Sequence, residues 1–374
     1  MSNDIDEKDA ILALLKIPQI GSVRFFRLLK RAGTIKNLWL KDDYSLFQDI
    51  LPRHILKKLE KGPELKAIKE LKNKLNKLSI WTLFFDDKHY PPLLKNIYNP
   101  PPILFGKGKK EFLLKDCIAI VGSRKASSYG VRVARQLAKE LSEAGFVIVS
   151  GLALGIDTAA HKGALDAGGI TIAVKGCGLD VNYPVRNMAL LKQIEEEGTV
   201  ISEFFPGVPP EPGNFPSRNR IISGLSKAVI VVEAGQKSGS IITAKLALEQ
   251  GKEVMAVPGS IYSQMSKGCH ELIKQGAILV ESATDVLNAL GFSQEKDFNT
   301  TINNQQKILL NEDMLKVVDN LEAEPQHIDE IAHKCHMPVS KVGAILLELE
   351  LMDIAISQGA GRYSLINPNV SRFL

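Results

Sequence analysis

The sequence predicts an α/β protein whose largest part is a mostly parallel, doubly wound sheet. Three observations carry that expectation. Seven short apolar runs alternate with six helix-like segments between residues 117 and 280. The runs are apolar throughout rather than at every second residue, which is the pattern of strands covered by helices on both faces. Glycines, serines and arginines collect immediately after the runs, where parallel strands gather their connecting loops on one rim.

In order, the strand-like runs are Ile118–Val121, Phe146–Val149, Thr171–Val174, Val200–Ile201, Ala228–Val232, Glu253–Val257 and Ala277–Val280. Between them lie helical segments Tyr129–Ala144, Thr158–Ala167, Asn187–Glu197, Asn219–Leu225, Ile241–Glu249 and His270–Lys274. Gly145, Gly168, Gly198, Gly251 and Gly276 supply helix stops, since glycine takes the left-handed backbone that ends a helix. Crossovers between the parallel strands are expected to be right-handed.

The flanks read differently. Residues 1–79 are expected as an N-terminal helical domain, with an apolar face at Ile11, Leu12, Leu14 and Leu15 broken by Ile17-Pro-Gln-Ile-Gly21. That break is similar to a helix-hairpin-helix (or SAM-like) turn, in which backbone N–H groups point at a phosphate; a plain helical hairpin is the alternative. Residues 80–291 form the main domain, with its core at 106–291. Ile80–Phe85 and Ile103–Phe105 read as short strands, and Gly106–Lys110 as a polar linker. Residues 292–306 are polar and aperiodic, a second linker. Residues 307–374 carry three short helices, Asn311–Leu321, Ile328–Cys335 and Ser340–Met352, then a strand, a turn at Gly359-Ala-Gly-Arg362 and a strand. That order is a winged helix.

Length and composition narrow the function. The 374 residues suffice for two or three domains. No apolar run approaches the roughly 18 residues that span a bilayer, so membrane insertion is not expected. The acidic start is unlike a secretory leader. Cys117, Cys177, Cys269 and Cys335 are far apart and form no CxxC pair, which argues against a disulfide framework or zinc and for a cytoplasmic protein. The net charge of +5 is uneven. Residues 1–105 hold 19 basic against 12 acidic side chains, 106–304 hold 22 against 20, and 305–374 hold 6 against 10. An acidic end on a basic body suggests modules with different partners.

The chemistry is expected on the rim. Gly122-Ser-Arg124 follows the first run; Ser150-Gly-Leu-Ala-Leu-Gly-Ile-Asp157 the second; Lys175 and Gly176-Cys-Gly178 the third; Phe215-Pro-Ser-Arg-Asn-Arg220 the fourth; Ser238-Gly-Ser240 the fifth. Arginines, hydroxyls and free N–H groups at helix starts make a phosphate-binding surface. The first turn reads Gly122-Ser-Arg-Lys-Ala-Ser rather than G-x-G-x-x-G, and no P-loop occurs, so no nucleotide cofactor is expected. Asp157 and His161 stand at i,i+4. The preferred reading makes Asp157 a helix N-cap and packs His161 beneath the rim; an acid–base pair is the alternative. Glu203 and Glu233 are read as carboxylates that orient arginines, with general bases as the alternative. Cys177 reads as a structural thiol. Aromatic residues on the rim are thin, Tyr129, Tyr183 and Phe215, which makes base stacking a minor contribution.

Together these motifs resemble one family, DNA processing protein A, also called DprA or Smf. The resemblance rests on Ala119-Ile-Val-Gly-Ser-Arg124, Ser150-Gly-Leu-Ala-Leu-Gly-Ile-Asp-Thr-Ala-Ala-His161, Gly178-Leu-Asp-Val-Asn-Tyr-Pro184, Phe215-Pro-Ser-Arg-Asn-Arg-Ile-Ile222, Ser238-Gly-Ser-Ile-Ile-Thr-Ala244 and Val257-Pro-Gly259. It implies a Rossmann-like sheet and a non-enzymatic protein of bacterial natural transformation, homodimeric, that binds single-stranded DNA and helps load the RecA recombinase, also beside single-strand-binding protein. It implies no catalytic residues and no metal. DNA contacts carried over are Gly122, Ser123, Arg124, Arg218, Arg220, Ser238, Gly239 and Ser240. Lys175 departs from the usual apolar residue and is read either as charge added to the rim or as a solvated strand end. The winged helix has one lysine, Lys341, on its third helix against Glu348, Glu350 and nearby Asp353, so it is expected to serve protein contacts or weak DNA contacts. The competing reading is a nucleotide phosphoribohydrolase of the lysine-decarboxylase-like class, whose Pro-Gly-Gly-x-Gly-Thr loop the sequence lacks.

Overall fold

A computed structural model describes residues 5–41, 43–292, 311–322, 324–352 and 354–365. The chain divides into two compact units, residues 1–293 and residues 294–374. The expected linker 292–306 lies outside the described residues except for Phe292.

The first unit begins with five helices, α1 (Glu7–Leu15), α2 (Ser22–Ala32), α3 (Ile35–Trp39), α4 (Arg53–Leu59) and α5 (Leu65–Lys77). Then come β1 (Trp81–Phe84), α6 (Pro92–Lys95) and β2 (Ile103–Gly108). The alternating part follows: β3 (Cys117–Val121), α7 (Ser128–Glu143), β4 (Val147–Ser150), α8 (Ile156–Asp166), β5 (Thr171–Val174), α9 (Met188–Glu197), β6 (Thr199–Ser202) and α10 (Asn214–Leu225). It continues through β7 (Ala228–Val231), α11 (Gly239–Glu249), β8 (Glu253–Ala256), α12 (Lys267–Lys274), β9 (Ile278–Leu279) and α13 (Ala283–Ala289).

All nine strands join one sheet in the order β1-β2-β6-β5-β4-β3-β7-β8-β9. From β6 to β9 every pairing is parallel. The order reverses at β3, which lies between β4 and β7; this is the switch point where open α/β sheets bind ligands. Strand side chains alternate faces, and both faces are covered. Ile118 and Ile120 of β3 pack with Leu137 and Leu141 of α7 and Ala160 of α8. Ala119 and Val121 pack toward Ile221 and Leu225 of α10 and Ala244 of α11. Each fully buried Ile or Val there contributes about 1.5–3 kcal/mol, and this is why the run shows no polar alternation.

One expectation fails at β2. Residues 106–108 are strand, not linker: Gly106 pairs with Ile201 and Lys107 with Val200 of β6, antiparallel. Gly106 is there for close packing, because a Cβ would fall 2.1 Å from the Trp81 ring. The β1–β2 hairpin thus extends the sheet antiparallel, and Ile103 and Phe105 share an apolar core with the N-terminal helices and with Leu190 and Ile194 of α9.

The second unit contains α14 (Glu312–Asp319), β10 (Gln326–His327), α15 (Ile328–Cys335), α16 (Val339–Leu351), β11 (Ala355–Gly359) and β12 (Arg362–Leu365). Its three strands run in the order β10-β12-β11 around a core of Val317, Ile331, Val342, Leu346 and Leu349. This is the expected winged helix, with the addition of β10. Among the described residues no helix is long and apolar enough to cross a membrane.

Candidate nucleic-acid interface

At the switch point the first turn is tied down from within. The Ser123 N–H donates to the Glu233 carbonyl at 2.7 Å, and its carbonyl accepts from Ile156 N at 3.2 Å. Its hydroxyl accepts from Lys125 N at 3.1 Å and lies 3.5 Å from Met265 Sδ. Arg124, by contrast, is exposed and lies over the Phe215 ring, with Cζ 5.1 Å from the centroid. Phe215 in turn contacts Tyr183, with centroids 5.7 Å apart. Among the described residues Arg124 has no carboxylate partner. It is a cation laid on an aromatic face and left open to an anion.

The expected anion site at the start of α7 is already filled. The Glu233 carboxylate accepts from Ser127 N at 2.8 Å and Ser127 Oγ at 2.5 Å, while Ser127 Oγ caps Gly130 N at 3.1 Å. An internal carboxylate therefore stands where the sequence suggests an external phosphate, for the same reason: free N–H groups at a helix start favour negative charge. Glu233 holds this helix start, and none of the described ion pairs joins it to an arginine.

Anion-binding groups gather one strand further, in a cleft of about 120 Å³ between the loops after β3, β4 and β5 and the first turn of α10. Arg218 forms its back wall at 5% exposure. Nη1 donates to the carbonyls of Gly151 (2.6 Å) and Val174, and Nε to Asn219 Oδ1 at 3.1 Å. Among the described residues Nη2 makes no hydrogen bond, so one arm of the guanidinium remains for a ligand. Burial lowers the Arg218 pKa, opposed by Asp157. Lys175 also lines the cleft. It is 3% exposed, so it is not a solvated strand end; Nζ donates to Val181 O at 2.7 Å, and burial lowers its pKa. Cys177 lies beside it, fully buried, with its thiol pushed up by burial.

Arg220 is not brought to the cleft. The structure starts α10 at Asn214 rather than Asn219, so Phe215-Pro-Ser-Arg-Asn-Arg220 is helix, not loop. Pro216 is tolerated in a first turn, where its missing N–H would be unpaired. At about 100° per residue Phe215 and Arg218 share a face, and Arg220 lies about 200° from Arg218. Its guanidinium pairs with both Glu203 oxygens, at 2.8 and 2.6 Å, and donates to Ser217 O at 2.9 Å. Arg220 therefore stands on Glu203 and does not line the cleft with Arg218. Glu203 does orient an arginine, as the sequence suggests.

The loop after β4 owes its shape to several clamps. Leu152 holds a left-handed backbone, φ 57°, which is costly for a bulky residue. The Asp157 carboxylate accepts from Gly151 N (3.1 Å) and Ala153 N (3.3 Å). Asp157 is therefore not the helix cap; Gly155 is, at φ 81°. Asn187 Nδ2 donates to Leu152 O at 2.9 Å, a clamp 35 residues away that no local pattern announces. His161 is fully buried below: Leu152 N donates to Nε2 at 3.3 Å, and Nδ1–H meets Thr171 Oγ1 at 2.6 Å. A Cβ on Gly155 would fall 2.3 Å from the Ser123 carbonyl. Gly155→Ala is accordingly expected to cost about 1–3 kcal/mol of stability and to displace the Arg124 turn, read as a lower urea midpoint together with weaker anion binding.

Gly122, Ser123, Ser238, Gly239 and Ser240 stay on the rim. Ser238 caps α11, its Oγ 2.8 Å from Ser240 Oγ, and Gly239 O accepts from Asn219 Nδ2 at 3.3 Å. In the second unit, a wider depression of about 500 Å³ beside α14 and the α15–α16 turn holds several lysines. Two are already paired: Lys334 with Glu322 and Lys341 with Asp313, each at 2.6 Å.

Comparison with known proteins agrees with this fold. Residues 81–291 match the family described as DNA recombination-mediator protein A, and residues 305–361 match the DprA winged helix domain. Protein Smf of Escherichia coli is 44% identical over 274 residues, 71% of this chain and 72% of that protein. DNA processing protein DprA of Streptococcus pneumoniae is 50% identical over 206 residues, 55% and 73%. The X-ray structure of DprA from S. pneumoniae superposes with a TM-score of 0.67 at 38% identity, covering 75% of this chain and 97% of that one. DNA processing protein A from Helicobacter pylori, described for its single-stranded DNA binding mode, gives 0.52 at 33% identity, covering 56% and 95%.

Proposed function

The chain belongs to the DNA recombination-mediator protein A family, and from that premise we propose that it binds single-stranded DNA through the β3–β5 cleft as a recombination mediator. In this reading it protects incoming DNA and helps load the RecA recombinase during natural transformation, in the cytoplasm, as a homodimer that also works beside single-strand-binding protein. The observation that carries the reading is Arg124, laid on Phe215 and without an acidic partner among the described residues, at the mouth of a cleft backed by Arg218 and Lys175. Cations lining a cleft bind a phosphate backbone, and aromatic faces suit unpaired bases. The contacts proposed are Gly122, Ser123, Arg124, Arg218, Lys175, Ser238, Gly239 and Ser240, with Arg220 supporting α10 from behind.

The carboxylates and the histidine that an acid–base reading would call on are hydrogen-bonded within the fold. Glu233 is held by Ser127, Asp157 by the Gly151 and Ala153 N–H groups, and His161 by Leu152 and Thr171. This supports a binder without a bond-breaking step.

The test is a salt series on single- and double-stranded DNA of one sequence. Tighter binding of the single strand is expected, with log affinity falling by about 0.7 per phosphate contact per decade of salt. Equal affinity for both forms, or binding indifferent to salt, would defeat the proposal.

A further inference from the structure

The loop after β8 carries an aromatic residue that the rim described above does not use. A turn is closed there by Ser263 N donating to Ser260 O at 3.0 Å. Its two corner residues are Ile261 and Tyr262, exposed by 73% and 89%. Turn corners are usually small or polar residues, so a β-branched residue followed by a tyrosine is out of character for a bare solvent turn.

The stem of this loop is bolted to the phosphate turn. Ala234 N donates to Met265 O at 2.7 Å and Gly268 N to Ala234 O at 2.8 Å. Ser123 Oγ lies 3.5 Å from Met265 Sδ, and Tyr129 Oη donates to Pro258 O at 3.0 Å. Tyr262 N meets Ser260 Oγ at 3.3 Å. The tip is thus exposed while its base is fixed, which lowers the ordering cost of using it.

Strand order places it on a line. The carboxyl ends of β5, β4, β3, β7 and β8 follow one another across the sheet. They carry Lys175, the Gly151 loop, Arg124, then Lys237 and Ser238-Gly-Ser240, then Tyr262. At about 4.8 Å per strand the line spans roughly 19 Å, with cations and hydroxyls between two aromatic ends, Phe215 with Tyr183 and Tyr262.

We infer that Tyr262, supported by Ile261, is a second base-stacking platform at the far end of the rim. It takes an unpaired nucleobase of a strand whose backbone also occupies the Arg124 cleft. The inference rests on the single-stranded DNA reading above. Stacking needs a π-face but no particular base and releases no counterion, which gives it a signature separate from the arginines.

The full chain, Tyr262→Ala, Tyr262→Phe and Arg124→Ala are titrated against oligothymidylate and an abasic strand of equal length. Tyr262→Ala is expected to bind oligothymidylate roughly tenfold more weakly, with an unchanged salt slope and little change on the abasic strand; Tyr262→Phe restores affinity. Unchanged binding by Tyr262→Ala, or equal weakening on both strands, overturns the platform while Arg124→Ala still reports the cleft. Unchanged binding with an altered molecular mass would make the tip a contact between copies and overturn it as well. Failure of the unsubstituted chain to bind either strand defeats the DNA reading itself.

Discussion

Replacing Arg220 with alanine lowers stability by about 3–5 kcal/mol, whereas replacing Arg124 leaves stability within about 0.5 kcal/mol and weakens single-stranded DNA binding roughly ten- to hundredfold. The two arginines differ in what surrounds them. Arg220 is 8% exposed and bidentate with Glu203. Its removal leaves a largely buried carboxylate without its countercharge and releases the Ser217 carbonyl at the first turn of α10. Arg124 is exposed and touches the Phe215 ring, and among the described residues its side chain makes no ion pair. Losing it removes one phosphate contact, so the single-strand salt slope falls by about 0.7, and the cation over the aromatic face is lost with it. Urea midpoints and fluorescence anisotropy on the same preparations separate these outcomes. An Arg220→Ala protein as stable as the parent but unable to bind DNA would make Arg220 a direct contact after all, as the sequence alone suggests.

Acid weakens the fold through His161. The imidazole is fully buried, and burial, aided by the positive charge of Arg218, lowers its pKa from 6.5 to about 3. Its Nε2 accepts from Leu152 N–H, so a proton there would set two donors against each other. The unfolded chain takes up that proton near pH 6.5 and the folded chain does not. A depressed pKa gives stability that is complete above 6.5 and lost progressively as pH falls toward 3, up to about 5 kcal/mol over the whole window. Asp157 works in the opposite direction. Burial raises its pKa, so the folded state holds its proton more tightly and regains stability in acid. The difference between the parent and His161→Gln isolates the histidine, because Asp157 is common to both. Urea midpoints that fall together in both proteins between neutral pH and the carboxylate range would remove His161 as the cause.

Much of this protein is legible in the residues. The apolar runs from Ile118 to Val280 mark the parallel sheet because strands buried on both faces cannot carry polar residues. The helix order and the Gly359-Ala-Gly361 turn mark the winged helix. The rim follows from the strands being parallel, which brings Gly122, Gly151, Lys175 and Ser238 to one edge however far apart they lie in sequence. Less was legible where two segments compete for one role. The start of α7 has the pattern of an anion site, and the pattern is right about the chemistry; only the fold shows Glu233 already there. The grouping of the few rim aromatics is likewise not legible locally, since Phe215 lies under Arg124 and against Tyr183 across 91 residues of chain.

The sequence by itself determined the α/β class, the family and the set of residues at the strand ends, because periodicity and local turn chemistry depend on neighbours along the chain. The tertiary structure decided which of those residues face outward. Starting α10 five residues earlier turned Arg218 into the cleft and Arg220 onto Glu203, and the fold of the β8 loop left Tyr262 bare at its tip. A helix start or a buried ion pair is settled by the packing of distant elements, and side-chain direction changes by about 100° with each residue of helix. Local sequence therefore names the groups of an interface, while long-range packing assigns each one its partner.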